Sequence, residues 1–121
     1  MRKGTRILFA LLTCFCSFSV FASAESEQEI AFLFQYLKTS GCTFNRNGTW
    51  YSAEKAVEHI QKKYQHLTKK GMIDTTEDFI KKAASESSIS GEPYLVKCGN
   101  AVPSPSADWF TMELQKYRSS R

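Results

Sequence analysis

Residues 42–51 decide the fold of this chain, and they read Cys42-Thr43-Phe44-Asn45-Arg46-Asn47-Gly48-Thr49-Trp50-Tyr51. Alternating, aromatic-rich segments flank Asn47-Gly48. Asn-Gly is the strongest short-range signal for a β-hairpin, because both residues tolerate a positive φ. The Asn47-Gly48-Thr49 triplet also matches an N-glycosylation acceptor, but the turn is the favoured interpretation. Since so short a hairpin is marginally stable alone, it needs helices packed against it.

Helical periodicity is present on both sides of the hairpin. Ile30, Leu33 and Leu37 recur at the spacing of one helical face, and Gly41 ends that helix. Ser52 is a natural N-cap for the next helix. We predict helices over about 26–40, 53–70 and 105–117, a shorter helix that opens at Thr75 with a capping-box pattern, and a strand over 94–98.

The last predicted helix takes its cap and first turn from Ser104-Pro105-Ser106, and Trp109 should belong to its buried side. The fold class that follows is mainly α, with about four helices and a short β-hairpin and strand element. It is an α+β arrangement within one small domain.

The N-terminal 24 residues have the three parts of a secretory signal peptide: a cationic head, an apolar run and Ala22-Ser23-Ala24. We predict cleavage after Ala24, a periplasmic location, and a single globular domain over residues 25–121. A lipobox-like Leu11-Leu12-Thr13-Cys14 is the weaker alternative. Outside the signal no apolar run approaches the roughly 18 residues that a membrane span requires.

The net charge of the chain is much smaller when the predicted signal peptide is left out. The full chain has 16 Lys and Arg against 12 Asp and Glu, a net charge of +4. Three of those basic residues lie in the signal, which leaves a mature chain of about +1. A nearly neutral domain gives no support to a nucleic-acid partner.

Two cysteines, Cys42 and Cys98, lie beyond the signal. A cysteine pair in an exported chain of this size usually forms one disulfide, here joining the start of the hairpin to the late strand. The loop that it closes is worth about 4 kcal/mol in the chain-entropy model. Because neither cysteine sits in a Cys-x-x-Cys motif, a redox-active or nucleophilic thiol is the weaker interpretation.

Chemistry-bearing motifs are weak in this sequence. His59 and His66 are two helical turns apart, about 10 Å, so they cannot share one metal ion. Ser52-Ala53-Glu54-Lys55 matches Ser-x-x-Lys, but the chain is short for that chemistry and Ser52 already serves as a cap. We predict no metal, no cofactor and no catalytic residue.

Several ordered blocks resemble the YfeK-like family of small exported bacterial proteins. They are Phe44-x-Arg46-Asn47-Gly48, Ala56-x-x-His59-Ile60-x-x-Lys63, Asp74-Thr75-x-Glu77-x-Phe79-Ile80 and Ser87-Ser88-Ile89-Ser90-Gly91-x-Pro93-Tyr94-x-Val96. The resemblance covers about residues 29–96. It implies an exported or periplasmic protein of a Gram-negative bacterium and no particular reaction.

The blocks contain polar residues that packing alone would not require. If the hairpin and the Ser-Gly turn lie against the second helix, these residues converge on one binding surface; the other interpretation is that they only fix the turns. The candidate binding residues are Arg46, Asn47, His59, Lys63, Ser88, Ser90 and Tyr94.

The favoured hypothesis is a non-enzymatic binding module of the cell envelope, whose partner is an envelope protein or a small ligand. The alternatives are a small envelope enzyme with His59 as general base, and an inhibitor or immunity-type protein. An enzyme would need a concave pocket and a positioned His59. A binding module would present a shallow patch with Trp50 or Tyr94 partly exposed as anchors.

Overall fold

A computed structural model describes residues 10–13 and 18–121, with only the backbone given for residues 18–23. The predicted signal peptide and Cys14 therefore lie largely outside the described residues, and cleavage after Ala24 stays a prediction. The elements are α1 (Phe18–Thr39), β1 (Thr43–Arg46), β2 (Thr49–Tyr51), α2 (Ala53–Lys69), α3 (Thr76–Ala83), β3 (Leu95–Lys97), β4 (Ser104–Pro105) and α4 (Ser106–Ser119). The predicted α+β class is confirmed.

The strands form one antiparallel sheet in the order β2-β1-β3-β4. Asn47 and Gly48 make the predicted two-residue turn, with φ of 53° and 87°, so Arg46 pairs with Thr49. Phe44 on β1 lies opposite Val96 on β3, and both are buried. The hairpin thus gains a third strand from the far end of the chain.

Local capping signals act as predicted at α2 and α3. Ser52 accepts a hydrogen bond from the Lys55 N–H at the start of α2. Thr75 and Asp78 make a reciprocal capping box at the start of α3. These three bonds satisfy N–H groups that would otherwise be unpaired at the starts of the two helices.

The Cys42–Cys98 disulfide is present, and its two Cα atoms are 4.2 Å apart. Cys42 directly precedes β1 and Cys98 directly follows β3, so the bond closes the end of a strand pair that the sheet already brings together. The predicted link between the hairpin and the late strand is confirmed.

The core lies where the four helices meet the sheet. Phe79 of α3 is fully buried at its centre and makes edge-on contacts with Phe34, Tyr64 and Phe110. Such aromatic pairs stabilise beyond the apolar area that they bury. Phe79 therefore ties α1, α2 and α4 together around the shortest helix.

Two expectations about the helix ends are wrong. Helix α1 begins at Phe18, about eight residues before the predicted start; residues 18–25 contain no Pro or Gly to stop it. At α4, Pro105 occupies the N-cap position without a side-chain cap bond. The Ser106 hydroxyl instead donates to the Ala84 carbonyl at 2.5 Å, because this end of α4 is buried against α3.

Helix α4 also contacts α1 through aromatic residues. Phe32 stacks on Tyr117 with ring centroids 4.3 Å apart, and Tyr36 lies 5.4 Å from Trp109. Trp109, expected on the buried side, is only half-buried, and its ring packs beside Tyr36 at the edge of the core. Within the described part of the chain, no helix is both long and apolar enough to cross a bilayer.

Candidate functional site

One hydrogen-bonded network joins the hairpin, α2 and the segment that precedes β3. Arg46, the last residue of β1, places Nη1 at 3.3 Å from Nε2 of His59. The hydroxyl of Tyr94 lies 3.2 Å from the same nitrogen. Lys63, one turn after His59, donates to that hydroxyl at 3.4 Å and to the Glu86 carbonyl at 2.6 Å. Four of the seven candidate residues therefore belong to one hydrogen-bonded network.

The donors and acceptors of this network define the tautomer of His59. A guanidinium only donates, so the His59 nitrogen that faces Arg46 must carry its lone pair. An ammonium also only donates, so the Tyr94 oxygen accepts from Lys63 and turns its own proton toward His59. Nε2 thus accepts both contacts. His59 is a neutral imidazole with its proton on Nδ1.

Electrostatics favour the neutral imidazole of His59 and the protonated phenol of Tyr94. Burial lowers the pKa of His59 below its usual value, and the positive charges of Arg46, Lys63 and Lys62 lower it further. Burial also lowers the pKa of Lys63 and raises that of the Tyr94 phenol. Tyr94 is only 1% exposed, so it cannot serve as the exposed anchor that the sequence suggested.

A second set of bonds fixes the turn over residues 87–91 against the hairpin. Asn47 donates from Nδ2 to the Ser87 hydroxyl oxygen at 3.3 Å, and the Ser90 hydroxyl donates to Asn47 Oδ1 at 2.6 Å. The Ser87 oxygen also accepts from the backbone N–H groups of Ile89 and Ser90. The hairpin turn and the serine turn therefore hold each other in place.

Two adjacent clefts share the Arg46–His59 contact as a wall. One, which we call the aromatic cleft, has a volume of about 200 Å³ and is bounded by Phe44, Tyr51 and Glu58. The other, which we call the basic cleft, has a volume of about 330 Å³. Its lining includes Arg46, His59, Lys62, Lys63, His66, Ser88, Ile89 and the buried Tyr94.

The remaining candidates lie at the edge of this arrangement. Ser88 is exposed and lines the basic cleft, with no side-chain hydrogen bond to any described residue. Trp50 is 42% exposed on the outer strand β2 and lines neither cleft. All seven candidate residues therefore lie in one contiguous region, although Tyr94 is its floor rather than its surface.

The described residues lack the cluster of side chains that a metal site requires. Among residues 10–13 and 18–121 there is no group of three His, Cys, Asp or Glu side chains placed to hold an ion. His59 and His66 both line the basic cleft, but Nε2 of His59 already accepts its contacts from Arg46 and Tyr94.

Residues 24–118 match the model of a protein family described as a family of unknown function, DUF5329. This chain belongs to the DUF5329 family. It is 35% identical over 92 residues to the Salmonella typhimurium (strain LT2) protein "Uncharacterized protein YfeK", and the match covers 74% of this chain and 75% of that protein. The predicted YfeK-like resemblance is thereby confirmed. No solved structure matches the chain.

Sequence reasoning missed two residues of the site in this DUF5329 chain. Lys62 follows His59 by three positions on α2, so helical spacing could have placed it beside His59 and His66. Ser87, which is buried, is the shared acceptor of the serine turn. A run of serines carries no signal for which hydroxyl points inward, so only the fold identifies it.

The protonation of His59 gives a direct test of the network. We expect replacement of Arg46 by glutamine to raise the His59 pKa, because it removes a neighbouring positive charge. The pKa is read from the imidazole proton shifts across a pH titration by NMR. Lys69→Gln also removes one positive charge, from α2, the helix that carries His59, but at a residue that lines neither cleft. It should leave the titration of His59 unchanged. An unaltered His59 pKa in the Arg46 variant would contradict the assigned contact.

Proposed function

We propose that this chain is an exported, non-enzymatic binding protein of the bacterial cell envelope that takes a partner protein on its Arg46–His59 surface. One observation carries the proposal. Positively charged and hydroxyl-bearing side chains from the hairpin, α2 and the serine turn converge on the basic cleft. Elements from distant parts of the chain place these groups together, and their internal hydrogen bonds hold them.

A fixed surface of this kind is suited to recognition. Side chains that are already held by neighbours lose little conformational entropy on binding. Arg46 keeps further N–H donors beyond the Nη1 contact to His59, and its guanidinium lies 5.7 Å from the centre of the Tyr51 ring. Arginine and tyrosine are among the residues that most often contribute the binding energy of protein interfaces.

General-base catalysis by His59 is less consistent with the geometry. A general base needs a lone pair that can reach the substrate proton. The lone pair on Nε2 of His59 already accepts from Arg46 and Tyr94, and its Nδ1 carries the proton. The surface therefore supports binding better than proton transfer.

Export is supported by two independent features of the chain. The first is the signal-like N-terminal sequence. The second is the Cys42–Cys98 disulfide, because structural disulfides persist mainly in oxidising compartments such as the periplasm.

The proposal is tested by cross-linked capture from a periplasmic extract, with the oxidised protein as bait. We expect a partner that is captured by the wild type, lost with Arg46→Gln, and retained with Lys69→Gln, which removes one positive charge elsewhere on the surface. Ser88→Tyr provides a second test, because it blocks the surface without removing any described hydrogen bond. All baits should have the same melting temperature as the wild type.

A partner retained by both Arg46→Gln and Ser88→Tyr would contradict the proposed surface. Failure of the wild type to capture any partner would contradict a protein-binding role.

A further inference from the structure

The basic cleft has an unbalanced charge. Arg46, Lys62 and Lys63 line it, and within the described residues no carboxylate side chain belongs to its lining. Two acidic groups, Glu58 and Glu86, act from outside it. Glu58 lines the neighbouring aromatic cleft, and the charge of Glu86 raises the pKa of Lys63 against the larger lowering by burial.

The three cationic side chains differ in how many hydrogen bonds or salt bridges they already make within the protein. Lys63 is directed to the Glu86 carbonyl and the Tyr94 hydroxyl. Arg46 uses one nitrogen on His59. Lys62 is exposed and forms no salt bridge with any described residue. The cleft therefore has donors and positive charge available to a ligand.

We propose that the basic cleft binds the phosphate group of a ligand, held among Arg46, Lys62 and Lys63. This rests on the surface assigned in the proposed function and goes beyond it, by naming a phosphate-bearing ligand that the basic cleft binds in addition to the partner protein. A carboxylate would neutralise only one of the three charges, whereas a phosphate monoester carries close to two negative charges and three acceptor oxygens. The planar guanidinium of Arg46 also matches the geometry of phosphate oxygens.

An exposed residue at the rim of the cleft distinguishes two sources of the phosphate group, a phospholipid headgroup and a soluble phosphate ester. Ile89 is 93% exposed at the tip of the serine turn, and the bonds to Ser87 hold it beside the cleft. In a phospholipid headgroup complex, Ile89 would contact the apolar part of the lipid. In a complex with a soluble phosphate ester it would have no such contact. Its replacement therefore separates the two sources.

The first experiment measures binding of the folded, oxidised protein to glycerol 3-phosphate by NMR, with acetate as the carboxylate comparison. The second measures its binding to phosphatidylglycerol vesicles by co-sedimentation, with phosphatidylcholine vesicles as the neutral control. We expect saturable binding to a phosphate probe and amide shifts at Ser88 and Ile89. Lys62→Glu should weaken it by at least about fivefold, the effect of one unit charge at 4 Å in water. Lys69→Glu, the same charge change at a residue that lines neither cleft, should weaken binding less than Lys62→Glu does, because Lys69 lies about 10 Å further along α2 than Lys62.

Binding that falls with Lys62→Glu and not with Lys69→Glu supports the proposal from either source. If only vesicles bind, and Ile89→Ser reduces that binding, the phosphate is that of a lipid headgroup; if the soluble ester binds and Ile89→Ser has no effect, it is a free ester. Equal losses in the two lysine variants, acetate binding as tight as phosphate binding, or no saturable binding to either probe would overturn the proposal. Captured protein partners would still support the surface in that case, so the two proposals can fail separately.

Discussion

Replacement of Arg118 by alanine is expected to lower the free energy of unfolding by about 3 kcal/mol, because it leaves a buried carboxylate without its main partner. Glu29 on α1 is 2% exposed. Arg118 on α4 donates to both of its oxygens, at 2.7 and 2.8 Å. Thr76 donates a third bond at 2.6 Å, and Arg121 approaches to 3.2 Å. Urea unfolding of the purified protein measures the loss.

The matched control for Arg118→Ala is Glu77→Gln, which removes the other ion pair of the same guanidinium. Arg118 also donates to Glu77 at 2.8 Å, but the Glu77 side chain is 63% exposed. Exposed ion pairs contribute about 0–1 kcal/mol, so Glu77→Gln should change stability little. If Arg118→Ala costs no more than Glu77→Gln, the buried pair with Glu29 does not carry the stability assigned to it.

The same pair gives the protein a pH dependence in the acid range. The hydrogen bonds from Arg118 lower the pKa of Glu29, and outweigh the opposing effect of burial. A carboxyl group whose pKa is depressed in the folded state stabilises the fold above its unfolded pKa, about 4.3, and loses that stabilisation as the pH falls through the folded pKa. Stability should therefore fall below about pH 4 in the wild type, and less steeply in Arg118→Ala.

Removal of the disulfide is expected to have an effect of similar size. Cys42 and Cys98 are 56 residues apart in sequence, and opening a loop of that length frees about 4 kcal/mol of unfolded-state entropy in the chain-entropy model. Small domains have only about 5–15 kcal/mol in total. The double variant Cys42→Ser/Cys98→Ser should therefore have a much lower denaturation midpoint than the oxidised wild type.

The reduced wild type is the control for that double variant, since it also lacks the bond but keeps both sulfur atoms. The two should show equal losses of unfolding free energy. A loss below about 1 kcal/mol in both would mean that the reduced, unfolded chain keeps residual structure that already restricts it, or that the bond strains the fold. The chain-entropy account would then be wrong for this protein.

Sequence alone determined the features that depend on neighbouring residues. The Asn47-Gly48 turn, the Ser52 N-cap and the Thr75 capping box all use atoms within a few positions of one another, so their chemistry is readable along the chain. The disulfide followed from having two cysteines beyond the signal. The family blocks pointed to the polar residues of the site without giving their contacts.

Tertiary structure alone decided the features that join distant residues. Glu29 and Arg118 are 89 positions apart, and no local pattern predicts that they meet. The same holds for the His59 tautomer, which depends on Arg46 and Tyr94 arriving from other elements. The charge of the basic cleft exists only because the hairpin, α2 and the serine turn fold together. Periodicity reports which face of a helix is buried, but not which partner covers it.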